Sequence, residues 1–316
     1  MKSFILLTSI LLLSSYNLQH LQENEKVELL NIEYIDDIVY FYYITEKNDT
    51  ITFFTDTGGG RIIFGDAFDK LNIKSKKVPF LKVQGHKIES TKLTDAFKLK
   101  GYPLPISKHF VERGEKPEIT SEIDGILGAT WFANKCWEFD YQNKKLYVHK
   151  KYNWNNVSEN KIIKLGFQKN IFRSKTTHFP RLPIIVEKDT IQMLFDTGAS
   201  SFLSNNAKQI FGNKKSVATS FMVARIFDKW HKNHPDWKYI EKGDKTGNED
   251  MIKVPKITIG NKEVGPVWFT RRENKNFDKW MSKWMDKKIE GAIGGSCFKY
   301  FHKIIIDYNT EKAYFE

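Results

Sequence analysis

Two short apolar runs end in the same three residues. Ile51-Thr52-Phe53-Phe54-Thr55 leads into Asp56-Thr57-Gly58, and Ile191-Gln192-Met193-Leu194-Phe195 leads into Asp196-Thr197-Gly198. Both runs are rich in β-branched and aromatic residues and have strand length, well short of a stable helix. Another apolar run precedes each. Ile38-Val39-Tyr40-Phe41-Tyr42-Tyr43-Ile44 is followed by a polar turn at 46–49, and Leu182-Pro183-Ile184-Ile185-Val186 by one at 187–189. The pattern predicts two hairpins, each delivering an Asp at the end of its second strand.

A second signature follows each hairpin. Asp124-Gly125-Ile126-Leu127-Gly128 continues through Trp137-Glu138-Phe139-Asp140-Tyr141 to Leu146-Tyr147-Val148, and Gly291-Ala292-Ile293-Gly294 continues through Ile304-Ile305-Ile306-Asp307-Tyr308 to Ala313-Tyr314-Phe315. Each reads as two aliphatic residues before a Gly, a short helical stretch, and a closing hairpin around a polar turn. Ile126, Leu127, Ala292 and Ile293 are expected to be buried beneath the Asp loops. The repeated order predicts a duplicated domain. Its expected divisions are a first lobe at 23–150, a hydrophilic linker at 151–160 and a second lobe at 161–316. Asp56 to Gly128 spans 72 residues and Asp196 to Gly294 spans 98. Most of the 26-residue excess is expected within 221–250, with a surface helix at 277–285 as a second contributor.

Composition changes this picture little. With 41% hydrophobic and 28% charged residues, the 316-residue chain is ordinary for a globular protein able to bury a large core. The net charge of +12 is spread over the whole chain, so a solvated basic surface is expected and no nucleic-acid partner. Residues 1–22 pair Lys2 with a short apolar run, which predicts a signal peptide, an exported (periplasmic or secreted) protein and no membrane span once it is removed. Cys136 and Cys297 are the only two cysteines and do not occupy equivalent repeat positions. Two separate buried thiols are preferred, with one bridge as the alternative. His231 and His234 form the one close histidine pair but have no acidic third ligand at a known spacing, so neither a metal nor a cofactor is expected.

The chemistry lies in the two carboxylates. One Asp from each lobe, held close, would share a proton, because like charges at contact distance cannot both ionise. Such a pair can activate water against an amide by general acid–base catalysis. With both Asp-Thr-Gly copies and both aliphatic-aliphatic-Gly partners, the chain resembles the retropepsin/pepsin clan of aspartic proteases, in particular the single-chain, two-lobed bacterial retropepsin-like type. The resemblance implies a mainly β, duplicated acid-protease-like β-barrel with the active site in the cleft between its lobes. It implies an aspartic endopeptidase, probing a polypeptide substrate as a monomer, with Asp56 and Asp196 as the catalytic dyad. Thr57 and Thr197 would hydrogen-bond across the lobes, and Gly58 and Gly198 would let the loops turn tightly. Gly85 and Gly247 are the candidate flap residues. The alternative is a catalytically inactive, protease-like peptide-binding module. Gly59 and Ala199 depart from the pepsin pattern, because neither supplies a hydroxyl to the neighbouring carboxylate, and this predicts a less acidic pair.

Overall fold

The computed structural model describes residues 27–45, 47–64 and 122–316, and between them 67, 70–71, 75–77, 81–83, 86–93 and 111–114. The expected signal peptide and Gly85 lie outside the described residues.

The architecture is mainly β and two-lobed, as the motif order predicts. In the first lobe, strands Ile32–Ile35, Ile38–Ile44 and Thr50–Thr55 form an antiparallel meander. Its first turn is Asp36-Asp37, both at positive φ (51° and 66°), the twist that a two-residue hairpin requires. In the second lobe, Arg181–Val186 pairs with Asp189–Phe195 through an equally tight turn, with Glu187 at φ 56°. Alternation along Thr50–Thr55 buries Ile51, Phe53 and Thr55 on one face.

The aliphatic-aliphatic-Gly strands then dock identically. Gly125–Leu127 runs parallel to Thr50–Thr55 with Leu127 opposite Thr55, and Gly291–Ile293 runs parallel to Asp189–Phe195 with Ile293 opposite Phe195. Leu127, Ala292 and Ile293 are buried as expected. Ile126 is only half-buried, because alternation turns it to the opposite face from Leu127. Leu127→Ala is expected to cost about 2–5 kcal/mol, read as a lower denaturant midpoint at unchanged slope.

The two halves meet in a six-stranded sheet. Its order is Val27–Leu29, Lys145–His149, Cys136–Asp140, Lys303–Asp307, Lys312–Phe315, Ile163–Lys164. Read from either end, the order is an opening strand followed by a closing hairpin, so the sheet itself repeats the duplication. The two inner strands pair antiparallel, with Trp137 opposite Ile306 and Phe139 opposite Ile304. Phe139, Phe195 and Phe298 continue the contact inward, with ring centroids 5.9 and 4.5 Å apart, within one core drawn from both halves. The lobe sheets themselves run as open paths. The segment expected as a linker forms two short turns, Trp154–Asn156 and Glu159–Lys161, and Trp154 donates to the Asp307 carboxylate at 2.9 Å.

The second lobe's excess lies elsewhere than expected. From Asp56 to the next lobe strand, Ile62–Phe64, is six residues, whereas from Asp196 to its counterpart, Ser220–Val223, is 24. These two strands correspond because each pairs antiparallel with its own aliphatic-aliphatic-Gly strand. The extra chain builds a small hairpin, Ser200–Phe202 with Ser216–Ala218, around helix Asn205–Phe211. The Ser204 side chain caps this helix and Gly212, at φ 74°, ends it. Leu203, Ala207 and Val217 pack with Ile240, Met251 and Trp268 as a separate small core. Only a minor part of the excess falls within 221–250, where helix Ala224–Asn233 buries Ala224, Phe227 and Trp230 at helical spacing.

Candidate active site

Each Asp begins the loop that leaves its strand, and the backbone anchors both in the same way. The Asp56 N–H donates to the Leu127 carbonyl at 3.0 Å, and the Asp196 N–H to the Ile293 carbonyl at 2.9 Å. Each carboxylate then accepts from the N–H two residues on. Gly58 donates to Asp56 Oδ1 at 2.9 Å and Gly198 to Asp196 Oδ1 at 3.0 Å. The loops thus present two carboxyl groups to each other in hydrogen-bonding contact.

The expected cross-lobe threonine lock is complete. The Thr57 N–H donates to Thr197 Oγ1 at 3.1 Å, and the Thr197 N–H to Thr57 Oγ1 at 3.0 Å. Each hydroxyl passes its own proton onward, from Thr57 to the Phe195 carbonyl at 2.7 Å and from Thr197 to the Thr55 carbonyl at 3.3 Å. Both threonines are fully buried. Each loop is therefore held by the strand of the other lobe.

Gly58 and Gly198 are required by proximity. A Cβ on Gly58 would sit 2.5 Å from Asp196 Cγ, and one on Gly198 would sit 2.4 Å from Asp56 Cγ. Each glycine makes room for the opposite carboxyl. Gly128 and Gly294 are equally crowded from below, by the Gly60 carbonyl at 1.9 Å and the Thr219 carbonyl at 2.4 Å from the same hypothetical atom.

The loops differ at one point. A Cβ at Gly59 would meet Asp56 Oδ2 at 2.1 Å, whereas the matching Ala199 carries its Cβ without conflict and packs it toward Gly294. The Asp56 carboxyl thus occupies space that a side chain fills in the second lobe. Gly59→Ala is expected to displace that carboxyl and lower turnover about 100-fold, the scale of a misplacement near 1 Å. Ala199→Gly should be far milder. Steady-state kinetics on one substrate would compare the two.

Electrostatics separates the carboxyls. Asp196 is buried and Asp56 partly so. Burial lifts both above the ordinary carboxylate range. Asp196 rises well above it, because burial is reinforced by repulsion from Asp56. The rise at Asp56 is opposed by hydrogen bonds from Asp196 and from the Gly58 and Gly59 N–H groups. Two acids in this contact cannot both ionise, so the pair holds one shared proton when it carries a single charge.

Beneath the second loop lies a buried hydroxyl network that the motifs do not announce. Ser220 Oγ accepts from the Gly294 N–H at 3.1 Å and meets Ser296 Oγ at 3.1 Å, while Thr270 Oγ1 bridges Ser201 and Thr219 at 2.8 and 3.0 Å. The Thr219 N–H holds the Ala199 carbonyl at 2.9 Å. Its sequence signal is polar residues in otherwise apolar strands.

Gly247 lies in the turn between Tyr239–Asp244 and Glu249–Val254, beside Glu249, Asp244 and Arg272. His231 and His234 stack separately, on Tyr239 and Trp237. Among the described residues no cluster of His, Cys, Asp or Glu is arranged to hold a metal. Cys136 and Cys297 are two free, buried thiols.

No family model and no curated protein matches the chain. Among solved structures, it is similar to conglutin gamma, a basic 7S globulin from lupine seeds, at 8% identity and a TM-score of 0.43 over 92% of this chain and 95% of that one. It is also similar to the basic 7S globulin from soybean, at 6% identity and a TM-score of 0.42 over 92% and 96%. These matches correct the resemblance drawn from the motifs. Both are globulins by name and neither is a retropepsin, so the retropepsin-like family and its protease and hydrolase labels are withdrawn as an identification. The expected signal peptide finds no support in them either. At such scores the matches carry no argument about chemistry, which rests on the site alone.

Proposed function

We propose that the inter-lobe site takes an extended polypeptide and that Asp56 and Asp196 hydrolyse its amide bonds as an aspartic-type endopeptidase. The supporting observation is the carboxyl pair itself, in contact, with Asp196 buried and Asp56 partly so, and locked by reciprocal threonines. Burying two acids side by side is costly, and here the loops are built to keep them together.

In the proposed reaction, ionised Asp56 takes a proton from a water between the carboxyls as its oxygen attacks the amide carbon. Asp196 gives its proton to the carbonyl oxygen, forming a neutral tetrahedral diol. Asp56 then protonates the leaving nitrogen, and Asp196 recovers a proton from a diol hydroxyl as the C=O bond re-forms. The C–N bond breaks and the pair returns to its starting state. The setting we assign is outside the cytoplasm.

A second reading keeps the polypeptide cleft and drops the turnover. Gly59 and Ala199, which leave the carboxylates without neighbouring hydroxyls, favour it. Digestion of a peptide library, read by mass spectrometry between about pH 3 and 8, where coupled carboxylates titrate, decides between them. Internal cleavage of library peptides is expected. Retention of peptides with no cleavage at any pH would leave the binding module.

A further inference from the structure

We propose that a knob on the second lobe docks the protein onto an anionic lipid bilayer. The knob joins two segments. Residues 168–176 form a small hairpin, closed by the Thr176 N–H to the Gln168 carbonyl and, at its tip, the Asn170 N–H to the Ser174 carbonyl, both 3.0 Å. Asn170 Oδ1 accepts from the Phe172 and Ser174 N–H groups, also at 3.0 Å, which tightens the tip. The base of the hairpin is fastened to the turns Asn276–Trp280 and Met281–Trp284. Gln168 Nε2 donates to the Lys283 carbonyl at 2.7 Å and Thr177 Oγ1 to the Trp284 carbonyl at 2.6 Å.

Four large apolar side chains project from this one structure. Ile171 is 90% exposed, Phe172 80%, Trp280 62% and Trp284 54%. The first three are the most exposed large hydrophobic residues described, and a cluster of this kind on a water-facing surface marks an interaction site. The turns themselves are anchored by buried Phe277 and Met285, so the tryptophans are held outward while their own segment is fixed.

Charge identifies the partner. The acids of the knob are already matched: Glu311 with Lys169 and Lys175, Asp286 with Arg181, and Asp278 with Arg225 and Lys288. Arg173, Lys279 and Lys287 are exposed and have no ion-pair partner among the described residues, and Lys283, also without one, lies over the Trp280 ring at 5.1 Å. Apolar tips within a ring of unmatched cations fit a surface with acidic headgroups over hydrocarbon, where tryptophan sits at the interface and lysine reaches the phosphates. A second copy of the chain is a poor fit, because a two-fold contact would bring the free cations together. Among the described residues no helix is long and apolar enough to cross a membrane.

The test uses the full chain with vesicles of phosphatidylcholine alone and with about one-third phosphatidylserine, at low and high salt. Tryptophan fluorescence of the wild type is compared with Trp280→Phe/Trp284→Phe, so that the readout belongs to the knob and not to the apolar N-terminal run. A blue shift on the anionic vesicles is expected, weakened by salt and absent from the double-Phe variant. Ile171→Ser/Phe172→Ser should weaken binding at least ten-fold, with thermal unfolding unchanged because both residues are exposed. No shift on anionic vesicles, equal binding to both vesicle types, or full binding by Ile171→Ser/Phe172→Ser would each overturn the proposal. So would binding to acidic proteins without binding to vesicles.

Discussion

Asp196→Asn is expected to lower kcat on a cleaved peptide by a factor of about 10³–10⁴, the upper part of the range for loss of a general acid. Asp56→Asn should cost at least as much, because it removes the base. The double variant should be scarcely worse than either single one, since two groups that share one proton act as a unit. KM should change little, because the lobes and their threonine lock remain in place. The same substitution should leave the fold more tolerant of rising pH. A carboxyl whose folded pKa is raised is protonated more readily in the native than in the unfolded chain. The stability it contributes is complete below the unfolded carboxylate pKa and is lost as pH rises through the folded value. Asp196→Asn removes that loss, so its melting temperature should fall less than the wild type's between mildly acid and neutral pH. Loss of turnover with a gain in neutral-pH stability separates a catalytic defect from a folding defect.

The second large effect is expected at the threonine lock. In Thr197→Val the Thr57 N–H loses its acceptor and the Thr55 carbonyl loses its donor, both in the buried interior. Each orphaned group costs about 1–3 kcal/mol, so destabilisation of about 2–6 kcal/mol is expected. Thr57→Val orphans the Thr197 N–H and the Phe195 carbonyl in the same way. The two substitutions should be strongly non-additive, because either one breaks part of a shared network. Denaturant unfolding of both single variants and the double variant measures this coupling. The lobes should stay joined throughout, because the strand pair Cys136–Asp140 and Lys303–Asp307 is untouched.

The site was far more legible in the sequence than the way the lobes join. Asp-Thr-Gly after a strand sets a carboxylate, a hydroxyl and a glycine within three residues, and the resemblance to the aspartic protease clan implied the roles of the threonine and the glycine. Pairing of Phe139 with Ile304 has no such local mark. Trp137 and Phe139 mark one face of their strand as buried, as Ile304 and Ile306 do for theirs, but alternation cannot show which neighbour a strand will pair with. The misplaced excess has a different cause. The signals were present, with Ser204 as helix cap and Gly212 as helix stop, but the helix between them is only seven residues long. The steric contrast at Gly59 was invisible for a third reason. In sequence Gly59 is only a missing hydroxyl, and the nearby Asp56 oxygen that excludes a Cβ exists only in three dimensions.

The central claim is that one proton is shared between Asp56 and Asp196 and that the pair is active only in that state. The most direct test is kcat/KM against pH for a peptide that the protein cleaves. The account predicts a bell, whose acid limb is the ionisation of the pair to one charge and whose alkaline limb is loss of the shared proton. Because burial raises both groups, the bell should reach toward neutral pH. A single-limbed or flat profile, or the absence of any cleavage across the range, would contradict it.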